Sequence, residues 1–359
     1  MSGRTDSARR SAFIAQGDTG TATEPARHGA EPPTPIGERS LTMHAGVLTA
    51  PGAFAVEERE LPAPGPGEVR LRLVGSGVCA SSLPMWEGRE WFTYPTDPGG
   101  PGHEGWGVVD ALGAGVHGVR VGQRVAALSY RAHATHDVAR ADSIVPLPAA
   151  LDGMPFPGEP LGCAMNIFRR ADVRAGQDVA IVGIGFLGAL LTRLCADAGA
   201  RVIAVSRRPF SLDVARHFGA HDAVAMDDHW RIIEELKALT GGRMCERVME
   251  CVGLQWPLDL AGELTAERGR LVIAGFHQDG PRSVNMFLWN WRGLDVVNAH
   301  ERDPRVYVDG IRAAVDAVAR GALDPRPLFT HRYALDELTQ AYEATRQRPD
   351  GFVKALVMV

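Results

Sequence analysis

Residues Asp178 to Leu191, DVAIVGIGFLGALL, constrain the fold more than any other stretch of this chain. An apolar run rich in β-branched residues leads into a glycine turn. Leu187, Leu190, Leu191 and Leu194 then recur at i, i+3, i+4 and i+7, the spacing of a helix buried along one face. Gly183, Gly185 and Gly188 fit G-x-G-x-x-G. The first permits a tight turn, the second lets the main chain approach a pyrophosphate, and the third lets helix and strand pack closely. Free N–H groups at the helix start then face the phosphate charge. A second apolar strand, Val202 to Val205, closes a βαβ unit of the length that dinucleotide-binding units have.

The periodicity on either side extends this unit into a domain. Strands are predicted at 179–184, 202–206, 223–226, 247–251, 270–275 and 294–299, with helical stretches near 186–199, 210–218, 229–239 and 256–264. Strands alternating with crossover helices imply an α/β fold with a doubly wound parallel sheet. Upstream, residues 43 to about 150 are turn-rich and lack helical periodicity. Alternation over Arg70–Val74 predicts a half-buried strand that runs into a turn at Cys79. Downstream, 305–320 and 335–346 read as amphipathic helices and 352–357 as a closing strand, which returns to the first domain because the parallel sheet is already complete. The expected division is a disordered extension over 1–42, an all-β domain over 43–165 completed by 321–359, and the dinucleotide domain over 166–320.

Charge and cysteine usage exclude several function classes. Lys+Arg 38 against Asp+Glu 43 leaves no basic surplus for a nucleic-acid partner. No apolar run approaches the roughly 18 residues needed to span a membrane, and the N-terminal residues lack the apolar core of a secretory signal. Cys79, Cys163, Cys195, Cys245 and Cys251 are odd in number and show no paired spacing, which reads as reduced thiols in a cytoplasmic protein.

Cys79, His103 and Glu159 supply the three side-chain types that bind zinc, and a catalytic zinc takes three protein ligands and keeps one open position. Spread over eighty residues, they carry no local spacing signature. Singly, they read equally as a buried thiol, a satisfied imidazole and a solvated carboxylate. The stretches GSGVCASSLPMWEG (75–88), PGHEGWGVV (101–109), VGQRVA (121–126), EPLGCAMNIFRRADVRAGQDVAIVGIGFLGALL (159–191), VMECVG (248–253) and GRLVIAGF (269–276) add a further constraint. In these stretches and their order the chain resembles the medium-chain dehydrogenase/reductase family, in particular its zinc-dependent alcohol and polyol dehydrogenase branch. Glu159 lies twenty-four residues before Gly183, as the third zinc ligand does in that family.

The resemblance implies a GroES-like β domain and a Rossmann domain that transfer a hydride between a nicotinamide and a small-molecule alcohol or carbonyl substrate. The substrate would be a secondary alcohol, a polyol or a ring-bearing molecule, and the chain a homodimer or homotetramer. Cys79, His103 and Glu159 would surround one catalytic zinc, with Glu104 as a fourth ligand or a carboxylate just behind. Alcohol dehydrogenase is itself the reference example of such a three-ligand site. Ser81 matches the hydroxyl that passes the alcohol proton outward. Trp86, Trp91 and Phe92 fall in the substrate-facing loop. Gly183, Gly185, Phe186, Leu187, Gly188, Val252 and Gly253 would line the cofactor.

Three departures stand out. Ala80 replaces a glycine, Pro84 stands where some members end the proton relay in a histidine, and no cysteine falls between Cys79 and Cys163, so a structural zinc is not expected. Cys163 reads as a helix-face packing residue, His133 and His136 as strand or turn residues, and Trp289 and Trp291 as domain-interface packing.

An NAD site keeps an acid about twenty residues past the glycine loop, for the ribose 2′-hydroxyl. Here, eighteen residues after Gly188, stand Ser206, Arg207 and Arg208. A hydroxyl and two guanidinium groups suit a 2′-phosphate, so NADP(H) is the expected cofactor. A zinc-free NADPH reductase and a catalytically inactive NADP(H)-binding sensor are the alternatives.

Overall fold

The computed structural model describes residues 42–359. The extension expected over 1–42 lies outside the described residues except for Thr42, which opens the first strand.

β1 (Thr42–Ala50) and β2 (Ala53–Glu60) pair as an antiparallel hairpin. β3 (Glu68–Gly77) follows, with Val69, Leu71 and Leu73 turned into the core as the alternation predicts. A short helix, α1 (Leu83–Trp86), precedes β4 (Glu104–Leu112), β5 (Arg124–Ala127), β6 (His136–Arg140) and β7 (Ile144–Pro146). α2 (Gly158–Ala171) then leads into β8 (Asp178–Val182), α3 (Phe186–Asp197), β9 (Arg201–Ser206), α4 (Pro209–His217), β10 (Asp222–Ala225) and α5 (His229–Leu239). β11 (Cys245–Glu250), α6 (Gln255–Leu264), β12 (Thr265–Ile273), α7 (Met286–Arg292) and β13 (Asp295–Asn298) continue the alternation. α8 (Pro304–Ala319), β14 (His331–Ala334), α9 (Leu338–Gln347) and β15 (Ala355–Met358) complete the described residues.

β8 to β13 form a parallel sheet in the order β10-β9-β8-β11-β12-β13. Every residue of β8 is buried, which explains its unbroken apolar run. The order reverses between β8 and β11, and a doubly wound sheet binds its ligand beyond the strand ends at that switch. β14, β15, β3, β4, β5 and β7 line up in a second sheet, with β6 also on β3. β15 pairs antiparallel with β3 through Leu356↔Gly77, and Gly77 pairs with Glu104 of β4. The ends of three strands distant in sequence therefore meet at one point. One core runs from Trp106, Phe156 and Leu161 through α2 and α8 to Ile181 and Leu190, joining the two sheets.

Helix α7 was not anticipated. Trp289 packs over Gly262, where an added Cβ would meet its Nε1 at 2.6 Å, whereas Trp291 lies 78% exposed against Phe287 and fills no domain interface. No described helix is long and apolar enough to cross a membrane.

Candidate metal centre and cofactor cleft

Cys79 follows β3 in extended backbone, His103 immediately precedes β4, and Glu104 is the first residue of β4. Their ligand atoms all lie within 4.8 Å of one another, the one such Cys/His/carboxylate group among the described residues. Glu159, in the first turn of α2, sits slightly outside, with Oε2 4.0 Å from His103 Nε2. Its Oε1 accepts a hydrogen bond from Cys163 Sγ at 3.2 Å, so Cys163 is a polar neighbour of the site instead of simple packing. The structure thus brings Cys79, His103 and Glu104 together and leaves Glu159 at the edge.

The electrostatics of this group call for a cation. Burial alone would lower the His103 pKa, but the hydrogen bond with Cys79 and the negative charges of Cys79, Glu159 and Glu104 raise it to about 10. Burial likewise pushes the Glu159 carboxyl up. Glu104 is fully buried; its Oε1 accepts from Lys354 Nζ at 2.6 Å, while its Oε2 is buried with no partner among the described residues. A Cβ on Gly77 would come within 1.8 Å of that oxygen, so only glycine leaves room for it. An orphaned buried carboxylate oxygen costs about 1–3 kcal/mol or more. Beside a thiol and an imidazole it completes a donor set that fits zinc.

Lys354 was missed by sequence reasoning, although a lone cation in the apolar run FVKALVMV was a signal that something buried pairs with it. Its ammonium also lies 5.1 Å over the Phe186 ring, which stacks on Phe329 at 5.9 Å. Phe186 opens α3, so Lys354 ties the glycine loop to the metal group.

A second missed residue is His133, wholly buried between Ser76 Oγ at 2.9 Å and Tyr342 OH at 3.0 Å. Tyr342 donates its proton to Pro101 O at 3.2 Å, so His133 Nε2–H donates to Tyr342 and Nδ1 accepts from Ser76. This chain of bonds braces the segment just before His103. Neither His133 nor His136 belongs to the metal group. Burial, then the charges of His103 and Lys354, hold the His133 pKa down to about 3. Because that is below its unfolded value of about 6.5, the stability it contributes is full above pH 6.5 and drains as pH falls toward the folded value. Equilibrium unfolding should therefore show about 2 kcal/mol lost between pH 6.5 and 5, a slope that His133→Asn flattens. A wild-type profile level over that range would contradict the assignment.

A cleft of about 470 Å³ opens beside the metal group, lined by Ser81, His103, Trp91, Phe92, Phe276 and Gln278. Ser81 Oγ donates to Cys79 Sγ at 3.1 Å. Trp86 does not line this cleft, contrary to expectation. It is 4% exposed and packs against Phe54 and Tyr342, because α1 turns its ring into the core while Trp91, past the helix, faces outward.

On the dinucleotide side Gly183 has φ +100° and lies against Val252, whose Cγ2 would be 2.4 Å from an added Cβ. A Cβ on Gly188 would strike Gly183 O at 2.0 Å, whereas Gly185 faces open space, as close approach of a ligand requires. Leu187 packs against the core from α3. The N–H groups of Val252 and Gly253 are held by Glu250 Oε1 at 2.7 and 2.8 Å, so Val252 offers a cofactor its side chain and not its amide. Ser206 is buried at the end of β9 and Arg207 is exposed. Arg208 departs from its expected role. Its guanidinium donates to Ser211 Oγ at 2.9 Å, Phe352 O at 2.7 Å and Arg348 O at 3.2 Å, making it a strut to the C-terminal segment and not a free phosphate ligand.

Two family models match the chain: an alcohol dehydrogenase GroES-like domain over residues 65–156, and a zinc-binding dehydrogenase over 187–316. Among curated proteins it is 27% identical to sorbitol dehydrogenase of Gallus gallus over 84% of this chain and 93% of that protein. It is 25% identical to (R,R)-butanediol dehydrogenase of Neisseria gonorrhoeae over 88% and 99% of the two. A Sinorhizobium meliloti 1021 structure solved with NADP bound superimposes with TM-score 0.77 at 24% identity, over 89% of this chain and 100% of that one. Galactitol-1-phosphate dehydrogenase from Escherichia coli gives TM-score 0.74 at 22% identity, over 88% and 100%. Both parts of the expected architecture, the GroES-like β domain and the Rossmann-type sheet, are borne out.

Proposed function

The chain belongs to the zinc-dependent alcohol and polyol dehydrogenase branch of the medium-chain dehydrogenase/reductase family, and from that premise we propose that it exchanges a hydride between NADP(H) and an alcohol–ketone pair at one zinc. The observation that carries this reading is the group of Cys79, His103 and Glu104, of which His103 lines a cleft, with the unpartnered Glu104 oxygen among its donors.

In the proposed mechanism Cys79, His103 and Glu104 would hold the metal, with Glu159 Oε2 4.0 Å from His103 Nε2. Zinc bound there would supply Lewis acidity toward a carbinol or carbonyl oxygen, and a bound nicotinamide would supply the hydride acceptor or donor. Ser81 lines the cleft and carries a proton on Oγ, 3.1 Å from Cys79 Sγ, where it can pass the alcohol proton outward. Pro84 provides no onward acceptor, so a relay beyond Ser81 would need a group other than residue 84. Lys354 donates to Glu104 Oε1 and holds that carboxylate in place beside the group. Trp91 and Phe92 shape the outer cleft and limit water there. A homodimer or homotetramer is the proposed assembly, which sedimentation would resolve.

A panel of secondary alcohols and ketones with NADP(H), run before and after chelation, tests the reading. Turnover should disappear with the metal and return on adding zinc. Turnover indifferent to zinc removal would overturn it.

NADP(H) is proposed over NAD(H) because the end of β9 presents Ser206 and Arg207 and no acid. Calorimetric titration should give NADP⁺ at least about tenfold tighter than NAD⁺, with Arg207→Glu removing the difference, since a charge-assisted bond to the 2′-phosphate becomes a repulsion. Equal or tighter binding of NAD⁺ by the unaltered chain would count against the phosphate pocket.

A further inference from the structure

We infer that the cleft takes a carbinol bearing a flat apolar ring, in preference to an open-chain polyol; this rests on the dehydrogenase reading above and narrows its substrate class. The first ground is the chemistry of the walls. Beyond Ser81 and His103 the lining is Met85, Trp91, Phe92, Pro101 and Phe276, with Ser82 and Gln278 as the polar members. Ser82 is buried and its hydroxyl is turned toward Pro101 O at 3.5 Å, so apart from Ser81 and His103 the Gln278 amide is the polar partner for substrate among the described lining residues. A polyol carries a hydroxyl on each carbon, and each one drawn from water without a partner is penalised. A ring has no such demand.

The second ground is the arrangement of the aromatic groups. Trp91 and Phe92 sit 5.9 Å apart at 46°, and Trp91 is 53% exposed. Phe276, also in the lining, stacks on His300 at 5.1 Å and 18°, which supports one face of its ring, and the residue is 48% exposed. Three partly exposed aromatic rings in the lining of a cleft of about 470 Å³ offer stacking faces to a planar guest.

The third ground is that this wall is preformed. Gly275 N donates to Glu250 O at 2.7 Å, and His277 Nε2 donates to the buried Glu250 Oε2 at 3.0 Å. Arg282 Nε donates to His277 Nδ1 at 3.0 Å, which fixes the ring proton on Nε2, and Arg282 Nη2 donates to Gly253 O at 3.0 Å. Phe276 and Gln278 lie on either side of His277, so the Glu250–His277–Arg282 line holds both in place before substrate arrives. Little ordering remains to be done on binding. His277 is therefore a positioning residue for the cleft wall.

The test uses the full chain saturated with zinc. Steady-state kinetics with NADP⁺ should give 1-phenylethanol a kcat/KM about 100-fold or more above sorbitol, because unpaired hydroxyls and lost ring contacts both act against the polyol. Phe276→Ala and Trp91→Ala should each lower the 1-phenylethanol-to-2-propanol ratio of kcat/KM about tenfold, mainly through KM. His277→Ala should act likewise. His277→Gln should recover, since its amide can donate to Glu250 and accept from Arg282. Calorimetric titration of acetophenone into the NADP⁺ complex reads ring binding without turnover, and the same two cleft variants should weaken it. Sorbitol used as well as 1-phenylethanol overturns the ring preference while leaving the dehydrogenase reading intact. Acetophenone binding that depends on Phe276, in a chain that turns over no alcohol or ketone with either cofactor, supports the ring site and overturns the dehydrogenase reading instead. Ratios unmoved by Phe276→Ala and Trp91→Ala also overturn the ring site.

Discussion

His103→Ala should lose roughly 10³-fold or more in kcat/KM and cease to be stabilised by zinc, because several kcal/mol of transition-state charge stabilisation go with the metal. The site makes this the largest expected effect on activity. His103 is the neutral-capable donor in a group otherwise made of a thiol and carboxylates, and those neighbours raise its pKa to about 10 when no cation is present. Without the imidazole, Cys79 and Glu104 remain as the two donors of the group, one short of the three protein ligands of a catalytic zinc. The measurement has two parts. Zinc at about 100 times its Kd should stabilise the wild-type chain against denaturant by about 2.7 kcal/mol and leave His103→Ala unmoved. Zinc content and turnover should fall together in the variant. A His103→Ala protein that still binds one zinc and is stabilised by it would show that the metal sits elsewhere.

Lys354→Met should cost about 3–5 kcal/mol of stability in metal-free protein, the largest expected effect on the fold. Lys354 and Glu104 are a buried pair, with side chains 6% and 0% exposed and a 2.6 Å hydrogen bond. Removing the ammonium leaves a carboxylate in the core with neither oxygen partnered, since Oε2 has no partner already. Methionine keeps the packing against Phe186, so the loss reports charge and not a cavity. Zinc should return part of the loss by pairing with Glu104, and Lys354→Met/Glu104→Gln should return more than half of it, because the amide carries no charge to bury. Denaturant unfolding of these proteins with and without zinc reads all of it. A metal-free Lys354→Met chain within about 1 kcal/mol of wild type would overturn the buried pair as a support of the fold.

Glu104 and Glu159 mark how far the site could be read before the fold was known. Both were candidate ligands, and both are near the group. What separates them is register: Gly77↔Glu104 pairing slots Glu104 between Cys79 and His103, while α2 delivers Glu159 from outside and spends one oxygen on Cys163. The aromatic loop divides similarly. Trp86 and Trp91 are five residues apart, but one lies in a short helix packed on Tyr342 and the other beyond it, and no local spacing distinguishes them. Arg207 and Arg208 are adjacent, and the C-terminal segment's carbonyls claim only the second.

Back at DVAIVGIGFLGALL, the sequence by itself determined the βαβ unit, the glycine turn and the alternation of the parallel sheet. These rest on periodicity and backbone sterics that act within a few residues. Tertiary structure alone decided which carboxylate joins Cys79 and His103, that Lys354 pairs with Glu104 across 250 residues, and which rings face the cleft. Those choices follow from side-chain directions at points where separate strands meet. Such directions are set by burial and charge pairing between segments, and no window of sequence contains both partners.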